Sequence, residues 1–67
     1  MNALQKFRED KNLKRADMAR LLGVSKATIT RWETGDRRVD IKLLSSVEEK
    51  TGLKREDLRP DIFGEAA

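Results

Sequence analysis

Apolar residues recur at helical spacing along this chain. Met18, Ala19 and Leu22 form one stripe, and Ile29 and Trp32 form a second stripe a few residues later. Because residues three or four positions apart lie on one face of a helix, each stripe predicts a helix with a single buried side. The alternation typical of β-strands is absent from the sequence, so the pattern predicts an all-α fold.

A short break, Gly23-Val24-Ser25, separates the two stripes. Gly23 can adopt a positive φ at little steric cost and so end the first helix of the pair. The Ser25 side chain can cap the second helix by accepting a backbone N–H bond. Val24 would then pack between the two apolar faces. The stretch from Arg15 to Trp32 is therefore predicted to be a helix, a tight turn and a second helix.

Three further helices are predicted: one from the cap Asn2 to Asn12, one from the cap Asp40 to Gly52, and a last short turn that Leu53 and Leu58 bracket before Pro60 stops it. Asn and Asp side chains accept the first free N–H groups of a helix, whereas Gly, Asn and Pro commonly end one. The sequence therefore predicts five helices in one domain over residues 1–59. Residues 60–67 are predicted to be a C-terminal tail.

Composition excludes several classes of function. The chain has 67 residues and contains no cysteine or histidine, which excludes disulfides and the commonest metal ligands. Acidic residues occur as sequence neighbours such as Glu48-Glu49, which do not share one helix face. We therefore expect no enzymatic activity, no metal site, no cofactor and no small-molecule ligand. No apolar run reaches membrane-spanning length and no signal-peptide pattern is present, so a cytoplasmic protein is the default expectation.

Positive charge is concentrated in the first half of the chain. Residues 1–38 hold ten Lys and Arg against five acidic residues, a net charge of +5, whereas residues 39–67 carry −2. A basic face with an acidic back favours one orientation on a polyanion. The alternative interpretation is that the charges only solvate helices and are distributed unevenly by chance.

In the stretch from Arg15 to Trp32, the outer side of the second predicted helix is suited to a DNA groove. Its outward residues are cationic, hydroxyl or small: Lys26, Ala27, Thr28, Thr30 and Arg31. Lys and Arg can donate to guanine O6 and N7, so we expect G·C pairs in a recognised sequence, and small or threonine side chains can contact a thymine methyl. Trp32 could stack on a base, but its spacing from Ile29 favours a place in the core.

The segment RADMARLLGVSKATITRWETG resembles the phage Cro and repressor family of helix–turn–helix proteins, often called XRE-type. The small Ala19, the turn residue Gly23 and the closing Glu33 and Gly35 match the family pattern, and the resemblance extends from about Leu4 to Leu58. It implies a five-helix, lambda-repressor-like domain. Two departures are the absence of a proline after the third helix and Lys14-Arg15, where the family often has Ser or Thr followed by Gln.

The resemblance implies a transcriptional repressor, Cro-like or autoregulatory, that binds double-stranded DNA at a specific sequence. The recognition helix, about residues 25–34, would lie in the major groove of a palindromic operator. Base contacts are expected from Lys26, Ala27, Thr28 and Arg31. Phosphate contacts are expected from Arg15, Ser25, Thr30, Thr34, Arg37 and Arg38. The family also pairs an arginine and a glutamate at the places of Arg8 and Glu33, which implies a shielded ion pair between the first and third helices.

A homodimer is expected, because one such motif contacts too few base pairs for a unique genomic address. Leu58, Ile62 and Phe63 are the candidate dimer contacts, since they cluster around Pro60 in the apolar tail. The tail could instead fold back on its own domain. A second alternative is an antitoxin-type protein that binds a partner protein as well as DNA, with Ile62 and Phe63 contacting that partner.

Overall fold

The computed structural model describes residues 2–63, which form six α-helices and one 3₁₀ turn. The helices are α1 (Ala3–Asp10), α2 (Arg15–Leu22), α3 (Lys26–Thr34), α4 (Leu44–Thr51), α5 (Arg55–Leu58) and α6 (Pro60–Phe63), and the 3₁₀ turn (Ile41–Leu43) leads into α4. No strand occurs in this part of the chain. The predicted all-α fold class is confirmed. None of these helices is both long and apolar enough to cross a membrane.

The first four helices enclose one apolar core. Its buried members are Leu4, Met18, Ala19, Leu22, Ile29, Trp32, Val39, Leu44 and Val47. Met18 and Ile29 have no solvent exposure at all, so the two stripes of the sequence pattern face each other in the middle of the core. Val39 was not identified from the sequence because it lies in a connecting segment without helical spacing. Its burial fixes the chain between α3 and α4.

Local capping explains where α1 and α3 begin. Asn2 Oδ1 accepts the Gln5 N–H at 2.9 Å, and Ser25 Oγ accepts the Thr28 N–H at 3.1 Å. Lys14 offers no side-chain cap to α2, but the Asp17 carboxylate accepts the Lys14 N–H at 3.0 Å. An acid in the first turn also interacts favourably with the helix dipole. Asp17 therefore satisfies the backbone N–H of Lys14, although Lys14 has no capping side chain of its own.

The predicted fourth helix begins later than the sequence suggested. Asp40 Oδ1 accepts the Lys42 N–H at 2.9 Å, so Asp40 is a cap, but it caps the 3₁₀ turn Ile41–Leu43 rather than an α-helix. Ile41 consequently lies exposed on this turn. The α-helical spacing starts at Leu44, which is fully buried.

Pro60 begins a helix as well as ending one. The sequence predicted that Pro60 ends the last helix and leaves a tail, whereas Pro60 is the first residue of α6. Proline is favoured at a first helical position because no N–H is needed there. Arg59, just before the proline, leaves the helical conformation at φ −133° and ψ 66°, which separates α5 from α6. Residues 64–67, the remainder of the predicted tail, lie outside the described residues.

Candidate nucleic-acid interface

The α2–turn–α3 unit holds one face of α3 against the core and leaves the other open. Gly23 takes φ +70°, and the Val24 N–H donates to the Ala19 carbonyl at 3.0 Å, which closes the end of α2. This reversal lets α3 cross α2, with Ile29 and Trp32 pointing inward. The chain direction at the start of α3 is thus fixed by one glycine and one capping serine.

The open face of α3 carries the predicted base-contact residues. Lys26, Ala27 and Arg31 are exposed, and Thr28 is half-buried. Ala27 and Arg31 are four positions apart and so lie on the same side of the helix. The only carboxylate of α3, Glu33, is buried on the opposite side. The exposed side of α3 therefore presents cationic, hydroxyl and small groups to solvent.

An open groove joins α3 to the segment that follows it. Its volume is about 460 Å³, and five of the predicted DNA contacts line it: Ser25, Thr28, Arg31, Arg37 and Arg38. Asp40 also lines the groove, but its carboxylate accepts the Lys42 N–H. The fold brings residues separated by up to thirteen positions in sequence to one basic surface. We call this surface, which Ser25, Thr28, Arg31, Arg37 and Arg38 line, the basic groove.

The two outer threonines of α3 use their hydroxyl protons within the helix. Thr30 Oγ1 donates to the Lys26 carbonyl at 3.1 Å, and Thr34 Oγ1 donates to the Arg31 carbonyl at 3.3 Å. A phosphate oxygen is an acceptor only, so either threonine must rotate to donate to a phosphate. Thr30 is half-buried in the middle of α3 and Thr34 is exposed at its end, and neither residue lines the basic groove.

Glu33 binds two arginines from two different helices. Arg8 donates through Nε to Oε2 at 2.7 Å and through Nη2 to Oε1 at 3.0 Å, and Arg15 Nε donates to Oε1 at 3.1 Å. The Glu33 side chain has no solvent exposure, whereas the Arg8 side chain is 14% exposed and the Arg15 side chain 36%. The hydrogen bond from Arg8 to Glu33 raises the pKa of the Arg8 guanidinium. Arg15, a predicted phosphate contact, is thus also a structural ligand of Glu33.

Comparison with known protein families decides the assignment. A sequence-family model described as Helix-turn-helix matches residues 4–58, which is most of the chain. The chain belongs to the XRE-type helix–turn–helix family. A comparison with curated proteins finds no match, and a comparison with solved structures finds none. The family resemblance seen in the sequence is confirmed. A helix–turn–helix domain of this family is a DNA-binding module of transcription regulators and is not typically enzymatic.

In this helix–turn–helix domain, two residues that the sequence analysis missed hold the chain beside the basic groove. Arg59 Nη1 donates to the Val39 carbonyl at 2.8 Å, and its Nε and Nη2 donate to the two Asp61 oxygens at 3.0 and 2.9 Å. Asp61 Oδ1 also lies 3.3 Å from Arg38 Nη1. The hydrogen bonds from Arg59 lower the pKa of the Asp61 carboxyl to about 2. No spacing rule links residues 38 and 61, so only the fold shows this cluster.

The candidate dimer contacts differ in how accessible they are. Leu58 and Phe63 are half-buried and pack against the core, and the Arg55 guanidinium lies 5.4 Å from the centre of the Phe63 ring. Arg55 in turn donates to both carboxylate oxygens of Glu48. Ile62 is 46% exposed. Of the three, Ile62 presents the most side-chain surface to a second molecule.

Proposed function

We propose that this helix–turn–helix domain is a sequence-specific transcriptional repressor that places α3 in the major groove of an operator. The basic groove is the observation that supports this most directly. It joins the exposed side of α3 to Arg37 and Arg38, so one surface offers groups for base edges and groups for the flanking phosphates. Repression would follow from occupying a promoter.

Arg31 is the side chain we assign to base recognition. It is exposed, lies in the second turn of α3 and lines the basic groove next to Thr28. A guanidinium can donate two parallel bonds to guanine O6 and N7, and such a pair discriminates against other bases by about 1–3 kcal/mol. Lys26 and Ala27, in the first turn, would contact neighbouring base edges.

Phosphate binding is assigned to residues that border the recognition helix. Arg37 and Arg38 are exposed at the edge of the basic groove. Arg15 uses its Nε for Glu33, and its remaining N–H groups can donate to a phosphate. The Ser25 hydroxyl, Thr30 and Thr34 complete the proposed set. Because Glu33 already holds Arg15, this side chain would lose less conformational entropy than a free arginine when it binds a DNA phosphate.

We further propose that two copies bind a palindromic operator with half-sites about 34 Å apart. Ile62 would lie at the centre of the contact between copies, with Leu58 and Phe63 beneath it. The proposed contact can be tested by sedimentation of the Ile62→Ser variant, which should shift toward monomer and lose operator affinity. Ile41→Ser makes the same change at another exposed isoleucine and should leave the dimer intact. The reverse pattern would place the dimer contact at Ile41.

The antitoxin-type alternative draws on the same α6 residues as the proposed dimer contact. It assigned Ile62 and Phe63 to a partner protein, but Phe63 packs against the core and beneath Arg55. Only Ile62 remains as a large exposed apolar residue of α6.

Selection of bound duplexes from a random pool tests the proposed function. We expect enrichment of a palindrome with G·C pairs in each half-site, and tighter binding to that duplex than to a scrambled one. Affinity should fall by about 0.9 log units per phosphate contact for each tenfold rise in salt, with about four to six contacts per protomer. When the selected site is placed over a promoter, the protein should block transcription from that promoter in a purified system. Recovery of no preferred sequence would contradict sequence-specific repression.

A further inference from the structure

The segment that carries Arg37 and Arg38 is fixed to its surroundings at three points. The Arg37 N–H donates to the Arg31 carbonyl at 3.1 Å, at the end of the recognition helix. The Val39 side chain is buried in the core, and the Val39 carbonyl accepts from Arg59 at 2.8 Å. Two of these attachments join the segment to the part of the fold formed by the first four helices, but the third comes from the connection between α5 and α6.

Arg59 and Asp61 extend that third attachment to the side chain of Arg38. The Arg59 side chain is only 14% exposed, and it joins the Val39 carbonyl to the Asp61 carboxylate. Asp61 then contacts Arg38, whose side chain is 59% exposed. The order of contacts is therefore Val39, Arg59, Asp61 and Arg38. We call Arg59 and Asp61 the C-terminal clamp.

We propose that the C-terminal clamp is a positioning device for phosphate binding, which holds residues 37–39 and orients Arg38 at the edge of the basic groove. This inference rests on the proposed DNA-binding function. It assigns a role in DNA binding to α6, which does not itself line the basic groove. A segment that is already ordered loses less conformational entropy when its arginines meet phosphates.

The distances favour positioning over competition for Arg38. Asp61 makes two bonds to Arg59, at 3.0 and 2.9 Å, and a longer contact of 3.3 Å to Arg38. Arg59 therefore neutralises most of the Asp61 charge. The Asp61 contact orients the Arg38 side chain but holds it only weakly. The exposed remainder of the Arg38 guanidinium keeps N–H donors for a phosphate.

Arg59→Lys tests the clamp without changing the net charge. Lysine can keep the positive charge but cannot donate to Val39 and to both Asp61 oxygens at once. We expect weaker binding to the selected operator and to a scrambled duplex alike. The loss should approach that of one phosphate contact, about eightfold at 0.1 M salt, with a correspondingly flatter salt dependence. Unchanged affinity and salt dependence would overturn the inference.

Asp61→Asn and Asp57→Asn form a matched pair. Both remove one negative charge from the same segment, and Asp57 also lies near Arg38, since both line a small cavity beside α1. Charge alone predicts equal or tighter binding for both variants, within about twofold at moderate salt. Positioning predicts that Asp61→Asn binds more weakly than the parent, whereas Asp57→Asn does not. Tighter binding by Asp61→Asn would show that Asp61 only competes with phosphate for Arg38.

Two further measurements separate positioning from a general loss of stability. In an Arg37→Ala/Arg38→Ala background, Asp61→Asn should have no further weakening effect on DNA affinity. Without DNA, hydrogen exchange of the Arg37 amide should accelerate in Arg59→Lys, while the Ile29 amide in α3 keeps its protection. Equal acceleration at both amides would overturn the positioning role. Failure of the parent protein to bind any duplex would instead contradict the proposed function, and the exchange measurement would still report on the clamp.

Discussion

The ion pair beneath the recognition helix offers the sharpest test of the physical reasoning. Glu33→Gln keeps the shape of the side chain but replaces a carboxylate, which accepts three guanidinium bonds, by a neutral amide. The amide nitrogen is a donor and would face the donors of Arg8 or Arg15. Arg15 is exposed enough to turn toward water, but Arg8 is 14% exposed and would remain in place, with only the more distant Glu9 carboxylate, 3.9 Å from its Nη2, to offset its charge.

The expected loss is large for a domain of this size. Removing one partner of a buried ion pair typically costs about 3–5 kcal/mol. A domain of 67 residues has a total unfolding free energy of about 3–10 kcal/mol at the usual 0.05–0.15 kcal/mol per residue. Since 1 kcal/mol shifts the melting temperature of a small domain by about 4–8 °C, Glu33→Gln should lower it by at least about 12 °C. The variant should be largely unfolded in moderate urea.

Urea unfolding followed by tryptophan fluorescence measures this change directly. Trp32 is the only tryptophan and is buried next to Glu33, so its emission reports on the region affected. Glu49→Gln, the same substitution at an exposed site, should change stability by less than about 0.5 kcal/mol. The double variant Arg8→Met/Glu33→Leu should recover much of the loss, because it leaves no buried charge without a partner. A Glu33→Gln midpoint equal to that of the parent would refute the assignment of a buried, stabilising pair.

Three other outcomes can be measured with the same purified protein. Arg31→Ala should cost about 1–3 kcal/mol on the selected operator and relax selectivity at one base pair per half-site, whereas equal weakening on random DNA would make Arg31 a phosphate contact. Arg37→Ala should weaken all duplexes alike and flatten the salt dependence by about one unit, and a loss confined to one sequence would assign it to base recognition. The Asp61 carboxyl has a pKa of about 2 against an ordinary 3.8, and Arg55 lowers the pKa of Glu48 below 4.5. Carboxyls with depressed pKa values stabilise the fold above their unfolded pKa and lose that contribution as the pH falls through the folded pKa, so urea stability should decline from about pH 4.5 toward pH 2. Asp61→Asn should make this decline shallower, and an unchanged decline would contradict the effect assigned to Asp61.

The sequence determined the parts of this protein that depend on neighbouring residues. Apolar spacing of three and four, a glycine that accepts positive φ and a serine cap are local features, and they predicted α2, the turn and α3. The outward side of α3 followed from the same spacing, because the positions not used by the core face solvent. The resemblance added the partners of a long-range pair, Arg8 and Glu33, which no local pattern could have joined.

Tertiary structure decided which side chains meet when they are distant in the chain. Arg15 was assigned to phosphate alone, but α2 packs beside α3 so that it also binds Glu33. Pro60 ends α5 by restricting the conformation of Arg59, yet its missing N–H suits the start of α6, and only packing against the core selects that outcome.

The largest difference lies in the surroundings of Arg38. The sequence assigned it only to phosphate binding, but Asp61 contacts it, and Arg59 binds the neighbouring Val39 carbonyl, because α6 folds back along the domain. Spacing rules describe residues within one helix, where geometry is fixed by the helix itself. Contacts across twenty residues depend on how the helices pack, and that arrangement is set by the buried apolar residues of the whole core acting together.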